Sequence, residues 1–247
     1  MRKRNPETKR LVLALVLFSI TLYGVEYLIF GRAGEIGFGL LGNLAFLPIY
    51  VLFVTLMVER VLRAREREAL RQKLNMVIGV FFSEVGTTLL GDGFTFVSTP
   101  SALSDRLRVV PQWTDADFQQ AASFLRSHAL EVDSRRGDLS CLKEFLVRKR
   151  GFMLGLLENP NLLEHDTFTD LLWAVFHLVE ELEARHSLDG LPAADLDHLS
   201  GDLKRVYTHL LAQWVAYLQH LRSDYPYLFS LAVRTNPLNP DARVELG

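Results

Sequence analysis

Two apolar stretches, LVLALVLFSITLYGVEYLIF at residues 11–30 and FGLLGNLAFLPIYVLFVTLMV at residues 38–58, are joined by GRAGEIG at 31–37 and decide how the rest of the chain reads. The first has 20 residues and one formal charge, Glu26; the second has 21 and none. At about 1.5 Å of rise per residue, either stretch as a helix reaches the roughly 30 Å of a bilayer's hydrocarbon core. The connection is short and carries Gly31, Gly34 and Gly37, which suits a tight turn between antiparallel helices. The expectation is a transmembrane hairpin with spans 11–30 and 38–58.

Basic residues set the orientation. Arg2, Lys3, Arg4, Lys9 and Arg10 precede the first span, and Arg60, Arg63, Arg65, Arg67, Arg71 and Lys73 follow the second, whereas the turn carries Arg32 alone. Lysine and arginine accumulate on the cytoplasmic side, so a multi-pass protein of the cell inner (plasma) membrane with both termini cytoplasmic is expected. A cleaved signal peptide is disfavoured, because the apolar run is too long, no small-residue cleavage site follows and a second run comes at once.

Charge divides the chain at the same place. Residues 1–73 carry a net +6 and residues 74–247 a net −8, within an overall −2. The positive segment favours anionic lipid headgroups, with Arg60, Arg63, Arg65, Arg67, Arg71 and Lys73 as the contacting residues. The acidic remainder argues against nucleic acid. Cys141 is the single cysteine, so no intrachain disulfide forms, as fits a reducing compartment. The segmentation expected is a basic N-terminus (1–10), the hairpin (11–58), a basic juxtamembrane helix (59–75), a cytoplasmic helical domain (76–235) and a loose C-terminal tail (236–247).

Inside the spans, Glu26 and Asn43 fall at similar depth in an antiparallel pair, near the outer face. An ionisable residue in a span suggests contact with a proton or cation. The competing reading, favoured by the shallow depth, is that Glu26 reaches interfacial water beside Tyr23 and Tyr27 while Asn43 joins the helices. A ring of such acids in a homo-oligomer would favour the first. Gly39, Gly42 and Pro48 suit close packing or a kink in either case.

Beyond the membrane, 59–73 has no glycine or proline and reads as a continued helix, but without a sustained apolar heptad it is not a coiled coil. Residues 76–90 are apolar around most of their circumference and too short to span, so they form either the central buried helix of the domain or an interfacial helix. Phe94–Val97 reads as a short extended segment. Helices then follow over about 114–130, with Thr114 and Asp117 as a capping box, 139–158, 167–182, with Thr167 as cap and Asp170 at its third position, and 192–222, closed by the apolar 225–233. The fold class expected is all-α: a hairpin followed by a helical bundle.

Chemical motifs are few. His165 and Asp166 invite comparison with metal-binding His-Asp pairs but lack a convincing further ligand set. Glu183 and His186 have the Glu-x-x-His spacing of di-iron bundles, without a second copy. His177 and Glu181 are an i, i+4 pair opposite the apolar stripe of their helix, either a partly buried polar site or a wet surface. His198, His209 and His220 recur every eleven residues, about 16 Å apart along a helix, too far to share a metal. Arg148-Lys149-Arg150 reads as a solvated basic face. No nucleophile elbow, phosphate-binding glycine loop or zinc-type cysteine pair occurs. No catalytic residue is assigned and the cofactor is unknown. The function expected is a membrane-anchored interaction or regulatory module for a protein partner. The alternatives are a small oligomeric two-span channel or transporter, or a metal-dependent enzyme using His165, Asp166, His177, Glu181 or His186.

Overall fold

A computed structural model describes residues 6–30, 35–159, 162 and 166–244. The fold is all-helical: among the described residues nine α-helices form and no strand longer than a single bridge. The chain divides into two compact units, Met1–Ala69 and Leu70–Gly247.

The first unit holds α1 (Pro6–Phe30) and most of α2 (Glu35–Phe81). Ser19 is buried and its hydroxyl donates to the carbonyl of Ala45 at 2.5 Å, beside Pro48, which is also buried. Around this point most described apolar side chains face outward: Leu28 is 83% exposed and Phe53 66%, with Leu13, Ile20 and Met57 similar. The two spans expected from sequence fare differently. Among the described residues one helical run, beginning at Leu41, is long and apolar enough to cross a membrane, whereas the first apolar run qualifies only as the shorter Arg10–Leu22. The helix continues from 38–58 through 59–75 as expected, since α2 runs unbroken through both and on to Phe81. Glu59 and Arg63 pair along it as i, i+4 neighbours.

In the second unit the choice left open for 76–90 resolves toward a buried helix. Ile78, Phe81, Phe82, Val85, Leu89 and Leu90 are buried in one core, although Met76 and Val80 face out. The helix passes through a π-turn, Phe82–Gly86, before α3 (Thr87–Gly93). The wider turn leaves Phe82 O accepting from both the N–H and the hydroxyl of Thr87. It also sets Phe82 against Trp214 and Tyr217, ring centroids 5.0 Å from each, next to Phe81 on Phe168 at 5.2 Å. Edge-to-face and stacked aromatic contacts of this kind add to the stabilisation from burial.

Phe94–Val97 corrects the extended reading: Phe94–Phe96 is a 3-10 turn and Val97 makes one antiparallel bridge with Val132. Just before it the chain passes close to Tyr207 at Gly93, where a Cβ would fall 0.9 Å from Tyr207 Oη. The buried Tyr207 hydroxyl donates to Leu89 O there, and burial pushes its pKa well above the ordinary phenolic value. After α4 (Pro100–Leu107), α5 (Asp115–Ser127) opens on the expected capping box, Asp117 Oδ2 accepting from Thr114 N at 2.6 Å and Oγ1 at 2.7 Å.

Asp138 caps α6 (Leu139–Leu157) by accepting from Ser140 N and Cys141 N, both at 2.9 Å. α7 (Asp166–Ala184) starts one residue before the expected cap, and Thr167 within its first turn instead accepts from Gln213 Nε2 at 2.8 Å. α8 (Ala193–Asp224) buries Leu199, Leu203, Tyr207, Leu210, Trp214 and Leu221 along the expected stripe. α9 (Pro226–Arg234) follows. Asn236 and Leu238, in the segment read as a tail, are buried; Asn236 Oδ1 accepts from Trp214 Nε1 at 3.3 Å and from Leu238 N at 3.1 Å.

Candidate functional site

The site forms where α7 and α8 lie side by side. Thr167 meets Gln213, His177 meets Asp202, Glu181 meets His198 and Arg185 meets Asp195, so the residue numbers fall on one helix as they rise on the other. The pair is therefore antiparallel, folded about a turn at Gly190, whose φ of +68° is the left-handed conformation that glycine adopts without strain. Each helix contributes an i, i+4 pair to one face: His177 and Glu181 from α7, His198 and Asp202 from α8.

Four imidazole–carboxylate separations define the group. His177 Nε2 lies 3.5 Å from Asp202 Oδ1 and 4.0 Å from Glu181 Oε1. His198 Nε2 lies 3.4 Å from Asp202 Oδ2 and 3.5 Å from Glu181 Oε2. Ligand atoms of His177, His198 and Asp202 all fall within 4.8 Å of one another. The side chains differ sharply in exposure, Asp202 at 3% and His198 at 54%, so the group opens to solvent on one side and is floored by a buried carboxylate.

Two arginines hold the acids. Arg205 Nη1 donates to Asp202 Oδ1 at 3.2 Å, while Asp202 Oδ2 is buried without a hydrogen bond. Arg185 Nη1 donates to Glu181 Oε2 at 2.8 Å, and Arg185 Nη2 to Asp195 Oδ1 at 3.3 Å. The Arg185 hydrogen bond keeps the Glu181 carboxyl below its usual range, against the opposing effect of partial burial. A buried carboxylate oxygen with no donor carries a desolvation cost that a hydrogen-bond donor, a water or a cation would offset. This is a polar centre able to take a positive charge between two imidazoles.

Of the residues singled out from sequence, His177 and Glu181 are in this group. Asp166 is exposed at the start of α7, and His186 is exposed beyond the end of that helix. His165 lies outside the described residues. Glu26 belongs to α1, but its side chain is outside the description, so the Glu26–Asn43 pairing is too; Asn43 itself is exposed. Arg60, Arg63, Arg65, Arg67, Arg71 and Lys73 are all exposed along α2. The basic triplet is matched by acids: Arg148 with Glu144 at 3.1 Å, Lys149 with Glu84 at 2.9 Å and Arg150 with Glu183 at 3.6 Å.

His198 and Asp202 were the residues that sequence reasoning missed as partners. Of the three histidines spaced by eleven, His220 pairs with Asp224 at 2.7 Å and His198 with the acids above. The usable signal was the repeat of an i, i+4 histidine–acid pair on either side of Gly190, at positions that an antiparallel fold about that glycine brings level.

Comparison with known proteins covers both units. Residues 70–234 match the family model described as "Uncharacterized protein MJ1433, C-terminal helical domain", and residues 3–62 match "MJ1433, N-terminal helical domain". A relative from Methanocaldococcus jannaschii, "Uncharacterized protein MJ1433", is 42% identical over 229 residues, 93% of this chain and 92% of the relative. No solved structure matches. With matches to both helical domains and a relative aligned over nearly its whole length, the chain belongs to the MJ1433 family.

Proposed function

We propose that the chain is a membrane-anchored helical module whose working part is the domain from residue 70 onward. The observation that carries this reading is the outward-facing apolar surface of the first unit, where side chains such as Leu28, Phe53 and Met57 are left uncovered among the described residues. Contiguous exposed apolar surface on this scale is costly in water and costs nothing in lipid. The apolar run of α2 is long enough to cross; α1, whose residues 11–30 carry Glu26 as their one charge and which is joined to α2 by the Ser19–Ala45 hydrogen bond, is the second crossing of a hairpin in this reading. The exposed basic residues after the apolar run of α2 then lie at the cytoplasmic headgroups of the inner (plasma) membrane.

The domain carries the polar centre on α7 and α8, which favours regulation or binding there over a pore through the anchor. Its acidic balance suits a protein partner over nucleic acid.

Thiol labelling with a membrane-impermeant reagent tests the topology, because Cys141 is the single cysteine and is exposed. Native Cys141 and Asn5→Cys in a Cys141→Ser background are expected to label only after permeabilisation, and Ala33→Cys in intact cells. Labelling of Asn5→Cys from outside would reduce the anchor to one crossing. Ala33→Cys reacting only after permeabilisation would remove the crossing altogether.

A further inference from the structure

We propose that His177, His198 and Asp202 bind one divalent first-row metal ion, with zinc the best match, and that Glu181 flanks its fourth, open position. The argument starts from the separations. Hydrogen bonds between an imidazole nitrogen and a carboxylate oxygen are made at about 2.7–3.2 Å, and all four separations here, from 3.4 to 4.0 Å, exceed that range. The 3.4 Å between His198 Nε2 and Asp202 Oδ2 fits a different relation. Ligands bonded at about 2.0–2.1 Å to one tetrahedral ion stand roughly 3.3 Å from each other. His198 Nε2 and Asp202 Oδ2 are thus spaced as one edge of a coordination shell, and a ligand atom of His177 lies within 4.8 Å of ligand atoms of both His198 and Asp202.

The second, independent observation is Asp202 Oδ2. Its carboxylate is almost wholly buried, its other oxygen is held by Arg205, and Oδ2 has no hydrogen bond. It faces His198 Nε2 at 3.4 Å. A folded chain rarely leaves a buried anion half satisfied, and where it does a missing ion is among the standard reasons. Arg205 on the far oxygen of Asp202 and Arg185 on Glu181 act as outer partners that fix the direction of each carboxylate.

Donor type narrows the ion. Two imidazole nitrogens and one carboxylate exclude a calcium or magnesium preference, since those ions take oxygen ligands. Three protein ligands of this kind with one position open is an arrangement zinc adopts. The ligands lie on two packed helices, so little ordering is required on binding. The site lies wholly in the second unit and does not depend on the membrane reading.

The test is a zinc titration of tag-free, full-length chain in detergent micelles after treatment with a chelator, followed by calorimetry and by competition with a chromophoric chelator. One equivalent per chain is expected at micromolar affinity or tighter, weakened at least about 100-fold by His198→Gln and by Asp202→Asn and unchanged by His186→Gln, on an exposed histidine outside the group. His198 is itself exposed, so His198→Gln keeps the fold and decides the matter if Asp202→Asn does not. Less than one equivalent bound at 100-fold excess zinc over ~1 μM chain would overturn the assignment. So would one equivalent that His198→Gln leaves intact, or that His186→Gln removes.

Discussion

Residues 44–58 and residues 74–90 are both apolar helical stretches of one chain, yet they meet opposite surroundings. In the first, Leu44, Phe46, Phe53, Val54 and Met57 face outward; in the second, Leu74, Ile78, Phe81, Phe82, Val85, Leu89 and Leu90 are sealed in a core. Apolar content alone therefore does not say which partner a helix has. What separates the two is supply: the second unit brings aromatic and branched side chains from α7 and α8 against 74–90, whereas the described residues of the first unit offer 44–58 little beyond the contact of Ser19 with Ala45.

The sharpest way to break this contrast is to truncate one phenylalanine in each stretch. Phe82→Ala, which empties a fully buried aromatic site, is expected to cost about 3–5 kcal/mol of unfolding free energy. Phe53→Ala is expected to change it by less than about 0.5 kcal/mol. Denaturation of the full chain in detergent checks both by tryptophan fluorescence, since Trp113, Trp173 and Trp214 all report on the second unit. Equal effects would mean that the two stretches are not differently partnered.

A smaller loss, about 2–3 kcal/mol, is expected from Gly93→Ala, because a methyl group there overlaps the Tyr207 hydroxyl and displaces a ring with no room to move. Asn236→Ala should cost about 1–3 kcal/mol by leaving the buried Trp214 N–H without its acceptor, measured in the same assay. Gly39→Ala in the first unit, where nothing lies within 4 Å of the added carbon, is the matched control with no packing loss expected.

The smallest effect concerns pH. The Arg185 hydrogen bond lowers the pKa of Glu181 in the folded chain from the ordinary 4.5, so the stability it contributes is present above that value. It is lost as pH falls through the folded-state pKa. Glu181→Gln should flatten the acid limb of the stability profile slightly while leaving stability at neutral pH little changed, because the carboxylate is partly exposed to screening solvent. A profile identical to that of the unaltered chain would show that the pairing carries no linkage.

Much of the second unit was legible in the chain itself. The Thr114–Asp117 box and the apolar stripe of α8 announce themselves through local spacing, and the structure has both. What stayed hidden depends on distant partners. The π-turn at Phe82–Gly86 has no sequence period of its own, and the rings that Phe82 meets there, Trp214 and Tyr217, are distant in the chain. Phe94–Val97 has the composition of a strand, but the one bridge it makes is to Val132, a partner its own spacing does not reveal. At the polar centre, His177 and Glu181 were visible as a pair, but His198 and Asp202 became their partners only through the turn at Gly190. Spacing within one helix was read well, and level positions on two helices were not compared.

The contrast between the two stretches is tested most directly by quenching in lipid. Phe53→Trp, in full-length chain reconstituted into nanodiscs, adds one tryptophan to the three of the second unit. With lipids brominated along their acyl chains, the emission this residue adds is expected to be strongly quenched, and the emission of the unaltered chain much less so. An added emission that brominated lipid leaves untouched would place residue 53 outside the hydrocarbon and contradict the membrane anchor.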